Sequence, residues 1–208
     1  GAELAWIANL RGPSSAHLAS KFNAAKATTD YKQVLADPAV QATFITVRNQ
    51  IHTSFAIEAL QAGKHVFVEK PLAITVDQLT QLVEAYQQAG DRQLMVGFNR
   101  RFSPHIVKMK ELLTGRSEPL AMSMTVNAGA IPADNWNHDP SQGGGRVVAE
   151  GCHFIDLMVH LAGAPVVSVA AAQLGSGVAV QDDKMSITMT FADGSIGTVH
   201  YLANGAKS

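Results

Sequence analysis

The chain reads as an α/β protein: an incomplete parallel sheet with interleaved helices in its first half, then an α+β segment with a mostly antiparallel sheet. Three observations carry this reading. Up to Phe98, short β-branched and apolar runs alternate with helix-length segments, the order that produces βαβ units and a parallel sheet. Beyond Arg101 the strands lie closer together around Ala192-Asp193-Gly194, a hairpin signal because Asp-Gly suits a turn needing positive φ. Finally, 208 residues with 47% hydrophobic and 16% charged side chains suffice for a substantial core. The division is placed at Arg101, giving units of residues 1–101 and 102–208.

In order, Leu4 to Ala8 is read as a strand, followed by a helix from Ser15 to Phe22 with a serine as N-cap and Pro13 near its start. Tyr31 to Ala36 is a short helix after Thr29-Asp30, stopped by Asp37-Pro38. A strand from Ala42 to Val47 leads to a helix from His52 to Ala62, with Gly63 as its C-terminal cap. Next come a strand from His65 to Glu69 and a helix from Thr75 to Ala89, with Leu79, Leu82, Val83 and Tyr86 on one stripe. Leu94 to Phe98 is the last strand of this half. In the second half, Pro104 to Leu113 and Val147 to Leu161 are helices. Leu120 to Asn127, Val166 to Gln173, Met185 to Phe191 and Ser195 to Tyr201 are strands. Met95, Met185 and Met189 read as core filler.

A net charge of -1 leaves no electrostatic footprint for nucleic acid or an anionic membrane. No apolar stretch approaches the roughly 20 residues that span a bilayer. The single cysteine, Cys152, excludes an internal disulfide and fits a reducing, cytoplasmic setting. Gly1 leads straight into a strand and the chain ends abruptly at Ser208, so the expectation is a piece of a longer protein.

Glu69-Lys70-Pro71 follows the apolar run His65 to Val68. A strand ending in this way puts a cation at the carboxyl edge of a sheet, where open α/β sheets bind ligands. Pro71 stiffens the exit, and Lys70 there can donate to a substrate oxygen; a solvated lysine paired with Glu69 is the alternative. The sheet is expected to be Rossmann-like but incomplete, because no strand is followed by a G-x-G-x-x-G turn for a pyrophosphate. Gly143-Gly144-Gly145 instead precedes a helix and reads as a turn that lets backbone pass close to another element. His153, Asp156 and His160 share a helix face, but no supporting ligands accompany them, so no metal site is expected.

The run Ala62-Gly63-Lys64-His65-Val66-Phe67-Val68-Glu69-Lys70-Pro71-Leu72-Ala73 resembles the signature of the glucose–fructose oxidoreductase/inositol dehydrogenase (Gfo/Idh/MocA) family. Val96 to Phe102, and Gly143 to Arg146 leading into Glu150-Gly151-Cys152-His153-Phe154-Ile155-Asp156, resemble it as well. Ile131 to Asp134, Trp136 and Asp139-Pro140 are similar to a subgroup fused behind a zinc-type alcohol dehydrogenase-like region. The resemblance implies an NAD(P)-binding domain, an α/β domain whose open sheet mediates homo-oligomerisation, and sugar or polyol substrates.

Residue by residue, the resemblance implies that Lys70 touches the substrate hydroxyl and the nicotinamide ribose, and that Glu69 helps to hold the cofactor. His153 is implied as substrate ligand or general acid/base, a role its ordinary pKa of about 6.5 suits. Asn9 stands where many members place an acid for the adenosine ribose; with Arg11 beside it, NAD and NADP both stay open. Arg48, Asn49 and His52 fall in the cofactor-edge loop, and Asn99, Arg101 and Asp134 are further substrate contacts. Where many members carry an Asp four residues before the histidine this chain has Ala149, with the carboxylate next door at Glu150. One residue turns a helix by about 100°, so Glu150 is a displaced member of the relay. The expected activity is hydride transfer between a nicotinamide and a sugar- or polyol-like alcohol or ketone, with dinucleotide bound weakly by these residues alone. The alternative is a non-catalytic substrate-binding or assembly module.

Overall fold

The computed structural model describes residues 1–175 and 183–205. The first half runs β1 (Trp6–Ala8), α1 (Gly12–Phe22), β2 (Lys26–Thr28), α2 (Tyr31–Ala36), β3 (Ala42–Ile45), α3 (His52–Gln61), β4 (His65–Val68), α4 (Val76–Gln88) and β5 (Leu94–Val96). The second runs α5 (Pro104–Leu112), β6 (Ala121–Asn127), α6 (Cys152–Ala162), β7 (Val166–Gln173), β8 (Lys184–Phe191) and β9 (Ile196–Leu202).

All pairings in the first half are parallel, but they form two groups: β1 with β2, and β4 between β3 and β5. Among the described residues no strand pairing joins the two groups. Asp37 ties the groups together. Its carboxylate accepts from Trp6 Nε1 at 2.8 Å and Lys26 Nζ at 3.1 Å, and its carbonyl accepts from Lys64 Nζ at 2.8 Å, just before β4.

Ile45, Val66 and Val68 point from β3 and β4 onto Ala56, Ala59 and Leu60 of α3 and Leu82 of α4. Burying a side chain such as Leu82 contributes about 2 kcal/mol. On the opposite face Phe44 stacks on Phe67 with ring centroids 5.3 Å apart, yet Phe44 is 74% exposed. The stripe expected on α4 is narrower than its periodicity suggested: Leu82 and Ala85 are buried, whereas Leu79, Val83 and Tyr86 are exposed. Met95 is exposed as well, on the uncovered face.

Helix boundaries hold where capping chemistry marks them. Asp30 and Thr75 cap α2 and α4 by accepting from Lys32 N and Gln78 N. Gly63 follows α3 with φ 71°. Helix α1 differs from expectation. It starts at Gly12, with Pro13 in its first turn and Arg11 making no side-chain cap; Ser15 lies inside it, buried, its Oγ spent on Ile7 O and Thr28 O at 2.9 and 2.8 Å. Strand β2, three residues long, has no alternation by which to recognise it.

The second sheet has the order β6-β9-β8-β7, with β6 parallel to β9 and the other two pairs antiparallel. It is therefore mixed. Ala192-Asp193-Gly194 forms the β8–β9 hairpin, with Gly194 at φ 85°. Period-two alternation sends Ile187, Met189, Phe191, Val199 and Tyr201 inward against Met158 and Ala162 of α6. The outer face carries hydroxyl pairs, Thr188 with Thr198 at 3.0 Å and Ser168 with Thr190 at 2.6 Å. The long helix expected over Val147 to Leu161 opens with a π-helical turn, Val147–Gly151, before α6 begins. Among the described residues no helix is long and apolar enough to cross a membrane.

Candidate active site

The parallel register aligns Ile45, Val68 and Val96 at one sheet edge. The main chain pairs on for one residue, Glu69 N donating to Ile45 O and Gly97 N to Val68 O, so Lys70 leaves the sheet at its carboxyl edge. The Lys70–Pro71 peptide is cis. Lys70 Nζ crosses to the second unit and donates to Ala149 O at 2.9 Å. That carbonyl belongs to the π-helical turn, whose altered hydrogen bonding is a common feature of functional sites.

Lys70 and His153 line one cleft of about 600 Å³, together with Arg100, Glu150, Phe154 and Tyr201. His153 is buried, edge-on to Phe98, and among the described residues nothing pairs with its Nδ1. Desolvation, reinforced by the cations Lys70 and Arg100, lowers its pKa below the ordinary value against the opposing pull of Glu69 and Asp156. Its imidazole is therefore neutral at neutral pH.

Glu150 is tied from two sides. Tyr201 Oη donates to Oε2 at 2.7 Å, and Arg146 donates to the same oxygen through Nε at 3.3 Å and a terminal nitrogen at 3.2 Å. Burial works against this carboxylate, but Tyr201, Arg146 and Lys70 outweigh it and hold its pKa below the usual range. Burial and the adjacent carboxylate push the Tyr201 phenol well above its ordinary value. Arg146 is 2% exposed and also donates to Gly129 O and Ala128 O at 2.6 and 3.0 Å, which anchors the turn. Burial pushes the Cys152 thiol up to about 11, so it is no nucleophile at neutral pH.

Other sequence-selected residues are placed elsewhere. Asn9 and Arg11 lie exposed after β1, with Arg11 N donating to Asn9 Oδ1 at 3.1 Å. Arg48 stacks on Trp136 at 5.4 Å, and Asn49 is buried, donating to Gly143 O at 3.0 Å. His52 is 1% exposed; its Nδ1 and Nε2 stand 2.8 and 3.0 Å from Pro71 O and Val47 O, so it steadies the turn after Lys70. Arg101 is held in a two-bond ion pair with Asp156 of α6 and lies outside the Lys70 cleft. Asn99 and Asp134 are exposed and outside its lining. The glycine cluster is a close-approach turn: a Cβ on Gly143 would come within 2.5 Å of the Asn137 Cα.

Two cleft residues, Arg100 and Tyr201, escaped the sequence reading of the site, as did Arg146, which fixes Glu150 from outside the lining. Arg146 and Glu150 at i, i+4 are a legible helical pair. Arg100 sits between two residues that were selected. Tyr201 comes from β9 with no local signal.

A sequence profile described as an oxidoreductase family with an NAD-binding Rossmann fold matches residues 1–98, and one for the GFO/IDH/MocA C-terminal domain matches residues 108–207. The uncharacterized oxidoreductase YrbE of Bacillus subtilis is 31% identical over 182 residues, covering 83% of this chain and 51% of that protein. Inositol 2-dehydrogenase of Salmonella typhimurium is 35% identical over 111 residues, covering 52% of this chain and 33% of that protein. Among solved structures, an NAD binding oxidoreductase from Klebsiella pneumoniae has a TM-score of 0.88 at 26% identity, covering 99% of this chain and 59% of that one. A levoglucosan dehydrogenase in complex with NADH and levoglucosan has a TM-score of 0.81 at 26% identity, covering 98% and 59%. The chain thus spans about half or less of the length of these two curated relatives. With both halves matched by profiles of one family, in order and on a shared fold, the chain belongs to the GFO/IDH/MocA oxidoreductase family.

Proposed function

We propose that this chain carries the substrate and nicotinamide end of an NAD(P)-dependent oxidoreductase acting on a sugar- or polyol-like alcohol or ketone. The observation that carries the reading is the meeting of Lys70, from the parallel-sheet edge, with His153, from α6, in one cleft. The residues fit that end of a dinucleotide: His153 presents a buried, unpartnered nitrogen, and Lys70 has donors left beyond its bond to Ala149. The sequence offers no G-x-G-x-x-G turn for the pyrophosphate, so these 208 residues are expected to hold the dinucleotide weakly.

When bound, the nicotinamide supplies the hydride acceptor or donor. The proton is the task of the protein. In the oxidative direction Lys70 donates to the substrate oxygen and orients the hydroxyl, and the neutral His153 imidazole accepts its proton as the carbonyl forms. Glu150, fixed by Tyr201 and Arg146, keeps a negative charge beside the two cations. Glu69, Arg48 and the Asn9–Arg11 segment are proposed to contact the cofactor, with NAD favoured by the described NADH-bound relative. The Glu150 to His153 pattern supports kinship with members fused to a zinc-type alcohol dehydrogenase-like region. The polar outer face of the second sheet is the proposed homo-oligomer surface.

The test is fluorescence titration with NADH and NADPH, followed by NAD(P) reduction across a panel of polyols. Turnover that disappears in Lys70→Met supports the reading. Polyol binding without nicotinamide binding or turnover would instead favour a non-catalytic binding module.

A further inference from the structure

The cleft holds an unbalanced charge. Lys70 and Arg100 line it against Glu150, with Arg146 bonded to that carboxylate from outside the lining, and two of these three cations are already engaged. Arg146 is buried and spends its donors on Glu150 and two carbonyls. Lys70 has given one donor to Ala149 O. Arg100 is different. It lines the cleft with its guanidinium 4.7 Å over the Phe154 ring, and among the described residues no acceptor or carboxylate pairs with it. A guanidinium parked on an aromatic face keeps its in-plane donors free and pre-oriented.

We infer that the substrate is a polyhydroxylated compound carrying a carboxylate, such as an aldonate or uronate, and that Arg100 is the residue that selects it. This rests on the sugar- or polyol-oxidising reading above and narrows its substrate class. A planar carboxylate matches the fork of Arg100 by two parallel hydrogen bonds. Glu150 does not compete for it, since Tyr201 and Arg146 already hold that carboxylate. Phe154 and Met124 complete an apolar wall, and about 600 Å³ suits a ligand of monosaccharide size.

The test is calorimetric titration of the protein, in the presence of NADH, with D-gluconate, D-glucitol and D-glucitol 6-phosphate, on wild type and Arg100→Gln. Wild type is expected to bind gluconate at least tenfold more tightly than glucitol, and Arg100→Gln to erase that preference. Equal affinities in wild type, a preference that survives Arg100→Gln, or a tighter phosphate ester overturns the inference. Binding of glucitol alone overturns only this inference. Binding of none of the three overturns the polyol reading beneath it too.

Discussion

Lys70 Nζ donates to the carbonyl oxygen of Ala149 at 2.9 Å, a bond between residues 79 positions apart that joins the parallel-sheet edge to the start of α6. The resemblance implied that many members carry an Asp at this position; here the residue is Ala149, and its main-chain carbonyl accepts from Lys70. The π-helical turn presents the carbonyl, and Glu150 turns instead toward Tyr201 and Arg146.

Lys70 is predicted to be the residue whose loss is felt first in turnover. In Lys70→Met, kcat should fall by about 10²–10⁴, the range supplied by a positioned proton-handling group. Steady-state kinetics with the best polyol check this; a variant within threefold of wild type would remove Lys70 from the mechanism.

His153 sets the acid limb of oxidation. Because its folded pKa lies below 6.5, the base form persists at neutral pH, and kcat/KM should decline only as pH falls through a value under 6.5. The same depression opposes protonation in the folded state, so any stability contribution is retained above the unfolded pKa and lost as pH falls through 6.5 toward the folded value. His153→Gln should abolish the limb. A limb unchanged in that variant would assign it to another group.

Tyr201→Phe removes the hydroxyl that donates to Glu150 at 2.7 Å. Unfolding free energy, measured by urea titration, should drop by about 1.5–3 kcal/mol, the scale of a hydrogen bond to a charged group. The Glu150 pKa should rise in parallel, which carboxylate NMR shifts would follow.

Asp37 predicts an acid-sensitive seam between the two parallel groups. The Trp6 indole first, then Ala39 N–H and Lys26, depress its pKa to about 2 from 3.8. Its contribution is complete above the unfolded value and lost as pH falls from about 4 toward 2. Trp6 emission should shift in that window, and Asp37→Asn should remove the shift while Trp136 remains as an internal control.

Much of the fold and site was legible along the chain. Gly63 marked the end of α3 because a cap is a local interaction, and Asp193-Gly194 marked its hairpin for the same reason. Lys70 and His153 were readable as signature residues, and the structure brings them into one cleft. The exposure of Leu79, Val83, Tyr86 and Met95 was not readable, because periodicity says which residues share a face and not whether another layer covers it. Ser15 looked like the start of a helix and proved to be a buried donor inside it, since α1 begins at Gly12.

By itself, then, the sequence determined the alternation of elements, the two-part architecture and the family signature, all properties set by neighbours along the chain. Only the tertiary structure decided that Arg101 is spent on Asp156, that His52 steadies the turn after Lys70, and that Tyr201 closes on Glu150. Each of those depends on groups 19 to 55 residues apart. Whether a polar side chain is free for a ligand is decided by which distant partner reaches it first.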